Sequence, residues 1–374
     1  MNVILAGDVM LGRGVDQALE QSCSPEIREP YVTDAREYLT LAEARNGELD
    51  TPLAARELWG DALERIRLID PDHLIVNLEN AVTFSDSFYP EKGIHYRAHP
   101  ENLEVLAAAG VDGAIVANNH VLDFDRRGLE DTLAALQVKG IVPIGAGKGV
   151  EDARRITVLS RRRGPENGNP GDESAGAVPA DGRVAVGAVC FPDSGVPLLW
   201  DAGPSTPGVS LLHRPSAAVA DEVSERFRYI PEEIPRILSV HWGANWGYEV
   251  PKEHREFARA LLSGGEVDLL FGHSSHHPKA VERRDGAAAF YGAGDLINDY
   301  EGIRGHEGFN PDLGLLYSVQ LSGRSIDRLE AFPYRRRRLR LESVGEEESR
   351  FLASVLSGEF GASVDLNSDG TLLI

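Results

Sequence analysis

The feature that most narrows what this chain can fold into is a repeated succession of short apolar runs rich in β-branched residues, polar clusters and amphipathic stretches. Candidate strands fall at residues 3–6, 73–78, 113–117, 141–144, 156–160, 183–189, 237–240, 267–271, 287–291 and 315–321. Runs that are apolar throughout, rather than alternating, fit strands covered on both faces, so the predicted architecture is layered α/β. Helices are expected at 51–69, opened by the cap-and-proline pair Thr51-Pro52, and at 100–109, 127–138, 251–262 and 346–356, three of them closed by glycines. The charged, Gly- and Pro-rich stretch 161–182 lacks apolar periodicity and is expected to be a mobile surface loop. The basic run 335–340 reads as an edge strand with a solvated charged face. Residues 1–300 are expected to form the core, with the strands and helix of 301–374 appended to the same domain.

The polar clusters carry the chemistry. Five of them follow candidate strands directly: Gly7-Asp8-Val9-Met10-Leu11-Gly12-Arg13, Asn77-Leu78-Glu79-Asn80, Asn118-Asn119-His120, His241-Trp242-Gly243 and Gly272-His273-Ser274-Ser275-His276-His277-Pro278. A sixth, Gly292-Ala293-Gly294-Asp295, follows at once. In a layered α/β fold the carboxyl ends of neighbouring strands open on one crevice, so side chains far apart in sequence can meet there. Asp8, Glu79, Asn119, His241, His273 and His276 would bring carboxylate, amide and imidazole ligands together. Such an oxygen and nitrogen set without thiolate suits Mn, Zn or Fe, and six groups suffice for two divalent ions sharing a bridging carboxylate. Arg13 and Arg97 could present guanidinium forks to a carboxylate or phosphate. Trp242, Trp246 and Tyr248 could wall a pocket, with Glu249 at its rim.

Charge narrows the partners. A net charge of −21 leaves no general basic surface for a nucleic acid or an anionic membrane. Cys23 and Cys190 are too few for a disulfide framework or a thiolate metal site. No run reaches the roughly 18 to 20 apolar residues of a membrane helix, and the chain opens directly into a strand, so a cytoplasmic location is expected.

The ordered motifs GDVMLGR, NLEN, NNH, VHWG, GHSSHHP and GAGD resemble those of the CapA family, the bacterial capsule or poly-gamma-glutamate synthesis proteins, which group with the calcineurin-like metallophosphoesterases. The resemblance runs from residue 3 to about residue 300 and implies a four-layer α-β-β-α sandwich with a dinuclear site at one end of its sheets. It makes Asp8 a ligand of the first ion, Glu79 the bridging carboxylate, Asn119 a ligand of the second ion, and His241, His273 and His276 the imidazole ligands. It gives His120 a role at the leaving group. Arg13 is assigned beside it, and Arg97, Trp242 and His277 are assigned to substrate. Two departures stand out: Val9-Met10 replaces the histidine of the usual first motif, and the closing motif is GHSSH.

Three functions fit this reading. The first is a metal-dependent hydrolase acting on a phosphoester or on a gamma-glutamyl or peptide bond. The second is a metal-dependent peptide epimerase that removes a Cα proton. The third is a non-enzymatic component of capsule-synthesis machinery. The implied ligands are a small molecule, a peptide or polyglutamate.

Overall fold

The computed structural model describes residues 1–90, 92–161 and 182–374. The loop expected at 161–182 therefore lies, apart from Arg161 and Gly182, outside the described residues; the Arg161 N–H donates to the Gly182 carbonyl at 2.8 Å. In chain order the main strands are β1 (Asn2–Val9), β2 (His73–Leu78), β3 (Gly113–Ile115), β4 (Val142–Ile144), β5 (Thr157–Ser160), β6 (Arg183–Cys190), β7 (Arg236–His241) and β8 (Leu269–His273). They continue with β9 (Val281–Arg284), β10 (Ala287–Phe290), β11 (Asp295–Ile297), β12 (Leu313–Ser322), β13 (Ser325–Arg337), β14 (Arg340–Ser343), β15 (Asp365–Leu366) and β16 (Leu372–Leu373). The main helices are α1 (Arg13–Ala18), α2 (Arg36–Asn46), α3 (Gly60–Ile69), α4 (Glu104–Ala109), α5 (Asp125–Val138), α6 (Ala217–Phe227), α7 (Lys252–Gly264) and α8 (Glu346–Ser357).

Mixed α/β architecture follows from two large sheets. The first runs β15-β16-β13-β12-β1-β2-β3-β4, with β11 beside β1 and β14 beside β13; the second runs β9-β10-β8-β7-β6-β5. Strands β1 to β4 are mutually parallel, as are β6, β7, β8 and β10, so within each set the carboxyl ends share one edge. Alternate residues of the second sheet, among them Val184, Val186, Ile237, Leu269, Phe271 and Phe290, join one buried cluster with Val3, Ile4, Leu5 and Ile75 of the first. The intervening residues Val189, Leu238, Val240 and Leu270 pack instead with Val223 and Phe227 of α6 and Phe257 and Leu261 of α7. Continuous apolar sequence is the consequence, because each of these strands has a covered surface on both sides.

The C-terminal strands are part of the central sheet. β12 pairs antiparallel with β1 from Asn2↔Gln320 to Ala6↔Leu316, directly alongside the strand that delivers Asp8. The basic run 335–340 is not an edge strand with a solvated face. It turns a hairpin through Arg338 and Leu339, and the Arg336 guanidinium is buried, donating to the carbonyls of Asp295, Leu296, Pro311 and Leu313. Arg335 and Arg340 reach Glu348 at 2.8 Å and Glu57 at 2.7 Å. The run is basic because it ties together loops rich in carbonyls and carboxylates.

The helix expected at 51–69 starts later, at Gly60, behind a single 3₁₀ turn at Ala55–Glu57. Gly60 has φ +43°, and a Cβ there would lie 2.1 Å from the Leu341 carbonyl oxygen. The close passage of β14 therefore demands glycine and a break in the helix at that point. α2 and α6 were not expected from the sequence; α2 buries only Tyr38 and Ala42, too few to make a visible stripe. No helix among the described residues is long and apolar enough to cross a membrane.

Candidate metal centre

The site begins with a bulge. β1 and β2 pair in register through Ala6↔Val76, shift at Gly7, and resume at Asp8↔Asn77. Gly7 lies so close to the chain crossing it that a Cβ would sit 1.9 Å from the Gly294 carbonyl oxygen, and the Asp8 N–H donates to that same oxygen at 3.1 Å. The bulge thus re-aims Asp8 and sets it abreast of Asp295, its parallel partner on β11. The Asn77 amide donates to Asp8 Oδ1 at 2.7 Å and Glu79 Oε2 at 2.5 Å, holding both carboxylates.

The second sheet supplies the imidazoles. Parallel register places His241 and His273 side by side at the ends of β7 and β8. Their Nδ1 atoms are 2.8 Å apart, and His273 Nε2 is 2.5 Å from the Ser239 hydroxyl. One ligand atom from each of Asp8, Glu79, His241 and His273 lies within 4.8 Å of the others, and Asp8, His276 and Asp295 form a second such group. Asp8 is common to both. All of these side chains are buried except His276, whose side chain is 12% exposed.

The fit to a cation can be judged from atoms left over. Among the described residues, Asp8 Oδ2, Asn119 Oδ1 and His241 Nε2 are buried without any hydrogen-bond partner. His241 Nε2 lies 3.6 Å from Glu79 Oε1, and Asn119 spends its amide N–H on the Ser194 carbonyl at 3.0 Å, leaving the oxygen free. Asp8 Oδ2 and Asn119 Oδ1 are lone-pair donors, His241 Nε2 is one in the tautomer that carries its proton on Nδ1, and each unpaired atom would cost about 1–3 kcal/mol if it stayed so. Burial pushes Asp8 well above the ordinary carboxylate range, with Glu79 and Asp295 adding to the effect. Burial likewise raises Glu79 to about 8. The imidazoles move the opposite way: burial, then the charge of His273, holds His241 well below its usual range, and burial takes His273 to about 3. In this first group both ionised carboxylates are penalised and both imidazoles are kept neutral, a condition that a bound divalent cation would relieve. These groups could hold a metal ion.

The second group is paired differently. His276 Nδ1 is 3.1 Å from both Asp295 oxygens, and Asp295 also accepts from the Asn298 amide at 2.6 Å. Burial opposes ionisation of Asp295, but His276 and Arg336 outweigh it and hold the carboxyl below its usual range.

His120 stands beside these groups on a short arm after β3. Asn118, fully buried, bonds the Leu78 carbonyl and caps the turn by accepting from the His120 and Val121 N–H groups. His120 Nδ1 lies 2.6 Å from Asp123, which also takes Lys92 at 2.5 Å and the Tyr96 N–H at 2.8 Å. Tyr96 stacks on the imidazole at 3.9 Å. Nδ1 is thereby committed to Asp123, and Nε2 is the nitrogen left for substrate.

Four of the expected substrate or catalytic side chains have other partners. Arg13 is buried and forks onto Asp299 at 2.5 and 3.1 Å, with Glu29 at 3.0 Å and Tyr38 at 2.9 Å taking its remaining reach. Arg97 is held by the Ser85 carbonyl at 2.7 Å and Asp86 at 2.6 Å. Trp242 is buried in the core, stacked on His254 at 4.3 Å, rather than lining a pocket. His277 uses both ring nitrogens, Nδ1–H to the Pro278 carbonyl at 2.9 Å and Nε2 from the Gly247 N–H at 3.1 Å. In each case a fork, a ring or an imidazole that looks available in sequence is engaged by other groups of the fold. Trp246, by contrast, is half-buried and stacks on His306 at 3.9 Å, near His276 and Phe309. Asp295 was visible only as the end of a GAGD cluster; its part in the site appears once β11 is set against β1.

Residues 2–167 and 173–300 match the family model described as bacterial capsule synthesis protein PGA_cap. A protein of Mycobacterium tuberculosis (strain ATCC 25618 / H37Rv), named as a probable polyglutamine synthesis accessory protein, is 38% identical over 100% of this chain and 95% of its own. The PGA biosynthesis protein CapA of Bacillus subtilis (strain 168) is 25% identical over 61% of this chain and 53% of its own, and the capsule biosynthesis protein CapA of Bacillus anthracis is 24% identical over 62% and 52%. The matched segments hold Asp8, Glu79, Asn119, His241, His273, His276 and Asp295 alike. By that match, and by its similarity to the mycobacterial protein from end to end, the chain belongs to the PGA_cap family of bacterial capsule synthesis proteins.

Proposed function

We propose that this protein is a metal-dependent hydrolase of capsule or poly-gamma-glutamate metabolism, built on the four-layer α-β-β-α plan of the metallophosphoesterases. The observation that carries the reading is the set of buried lone-pair atoms without partners, Asp8 Oδ2, Asn119 Oδ1 and His241 Nε2, beside two ligand groups that share Asp8. Two divalent cations, Mn, Zn or Fe, held by Asp8, Glu79, Asn119, His241 and His273 on one side and by Asp8, His276 and Asp295 on the other, would supply Lewis acidity and a bound water with its pKa brought toward about 7.

The chain's own residues handle the rest. Asp123 fixes the His120 ring and stabilises its protonated form, while Lys92 and the Tyr96 N–H keep Asp123 in place. Burial holds His120 down at about 4, so at neutral pH its Nε2 is unprotonated and would take a proton from the attacking water and pass it to the leaving group. Exclusion of water follows from the burial of Asp8, Glu79, His241 and His273. The relatives' names, polyglutamine synthesis accessory protein and PGA biosynthesis protein, favour a gamma-glutamyl or peptide bond over a phosphoester.

The test is elemental analysis of protein purified without chelator, alongside His273→Ala, followed by assays with phosphoesters and gamma-glutamyl peptides. About two equivalents of metal, reduced in the variant, together with cleavage of one substrate class would establish the reading. Deuterium uptake from solvent into an uncleaved peptide would replace hydrolysis by epimerisation. Absence of both metal and turnover would leave the accessory role in capsule synthesis.

A further inference from the structure

The loop after β7 places one exposed residue, Asn245, against His276 in two ways, one through its main chain and one through its side chain. The His276 N–H donates to the Asn245 carbonyl at 2.9 Å, and the Asn245 amide nitrogen lies 3.0 Å from His276 Nε2. The opposite ring nitrogen, Nδ1, faces Asp295 at 3.1 Å, on the side of the ring turned to that carboxylate, and His276 belongs with Asp295 to the group that includes Asp8. Trp246 and Tyr300 flank the ring, at 5.2 and 5.0 Å between centroids, so the imidazole is confined to one plane. The Tyr300 hydroxyl stands 3.5 Å from Nε2 but is committed more closely to Tyr96, at 2.8 Å. Asn245 is therefore the group that meets Nε2 at full hydrogen-bond distance.

An imidazole that ligates through one nitrogen carries its proton on the other and passes it to an acceptor, and such partners are worth 10–100-fold in metal affinity. With Nδ1 protonated toward Asp295, Asn245 serves as a donor to Nε2. With Nδ1 turned to a cation, the proton sits on Nε2, and the amide must accept it through Oδ1. A carboxamide can do both by rotating about its last bond, and the exposure of Asn245 leaves it free to rotate.

Resting on the dinuclear reading above, we infer that Asn245 is a positioning residue that sets the His276 tautomer and thereby completes the Asp8, His276 and Asp295 half of the metal centre. Nothing in the ligand motifs marks this residue; it precedes Trp246 in a loop.

Calorimetric titration of the metal-free full chain with Mn²⁺ tests it, comparing wild type with Asn245→Leu, which neither donates nor accepts, and Asn245→Asp, which accepts only. Wild type should take two ions. Asn245→Leu should bind one of them 10–100-fold more weakly and leave the other unchanged, while Asn245→Asp should keep wild-type affinity for both. Equal titrations of wild type and Asn245→Leu would overturn the inference alone, as would equal weakening by Leu and Asp. A wild-type chain that binds fewer than two ions would overturn the dinuclear reading and this inference with it.

Discussion

The two halves of the candidate centre share Asp8 and otherwise differ in kind. On the inner side, the rings of His241 and His273 and the carboxylate of Glu79 are sealed between the sheets, and lone pairs remain without partners. On the outer side, His276 is partly reachable, and it and the buried Asp295 are already hydrogen-bonded to each other, to Asn298 and to Asn245. The difference teaches where the fold has left work for a cation. An inner half without its ion keeps unpaired buried groups, whereas the outer half can satisfy itself with protons and hydrogen bonds until an ion displaces them.

The largest effect expected from breaking that comparison comes at the shared residue. Asp8→Asn should abolish both equivalents of bound metal and with them turnover; elemental analysis that still finds one tightly held ion would show that the halves do not depend on a common carboxylate. His241→Ala reaches the inner half only. One equivalent should disappear while the other persists, and loss of both would mean that the halves are a single cooperative site.

Smaller effects sharpen the picture. His120→Gln leaves the ligand groups intact, so metal content should stay at the wild-type level while turnover falls by about 10²–10⁴-fold, the usual contribution of a positioned acid or base. Unchanged kcat would remove His120 from the chemistry. Arg13→Met tests the support beneath the outer half, because Asp299 lies four residues after Asp295 and its carboxylate is buried against the guanidinium. Removing one member of a buried pair strands the other, so denaturant unfolding should show a loss of about 3–5 kcal/mol. If stability were unaffected and only KM rose, Arg13 would be restored to the substrate-binding role its sequence position invites.

Much of this is legible in the amino-acid sequence. Every expected strand corresponds to one in the structure; β1, β2, β6, β7 and β8, covered on both faces, write themselves as nearly unbroken apolar runs, while β4 and β5 are partly exposed. The clusters after the strands point to Asp8, Glu79, His241, His273 and His276; the first four meet, and His276 joins Asp8 in a second group with Asp295. Helix α6 is not among the expected helices, although Ser216 caps it and Ala220, Val223 and Phe227 make its buried face. Asp295 was within reach as the end of a sixth cluster, although an aspartate after glycines looks the same when it merely caps a turn.

The remainder depended on contacts that no local pattern encodes. Arg13 looks like a free fork because its partners stand 16, 25 and 286 residues away. Trp242 looks like a pocket wall until His254, from α7, is found stacked on it. The basic run 335–340 looks solvated until Arg336 is seen among four backbone carbonyls.

What the sequence determined by itself, then, is the set of buried strands and the kind of chemistry at their ends, since burial on two faces and ligand-type side chains are properties of short segments. What only the tertiary structure decided is which of those polar groups are spent on neighbours and which are left over. That division depends on register, on the bulge at Gly7 and on loops crossing from the far end of the chain, and hydrogen-bonding capacity is used up by proximity in space whatever the separation in sequence.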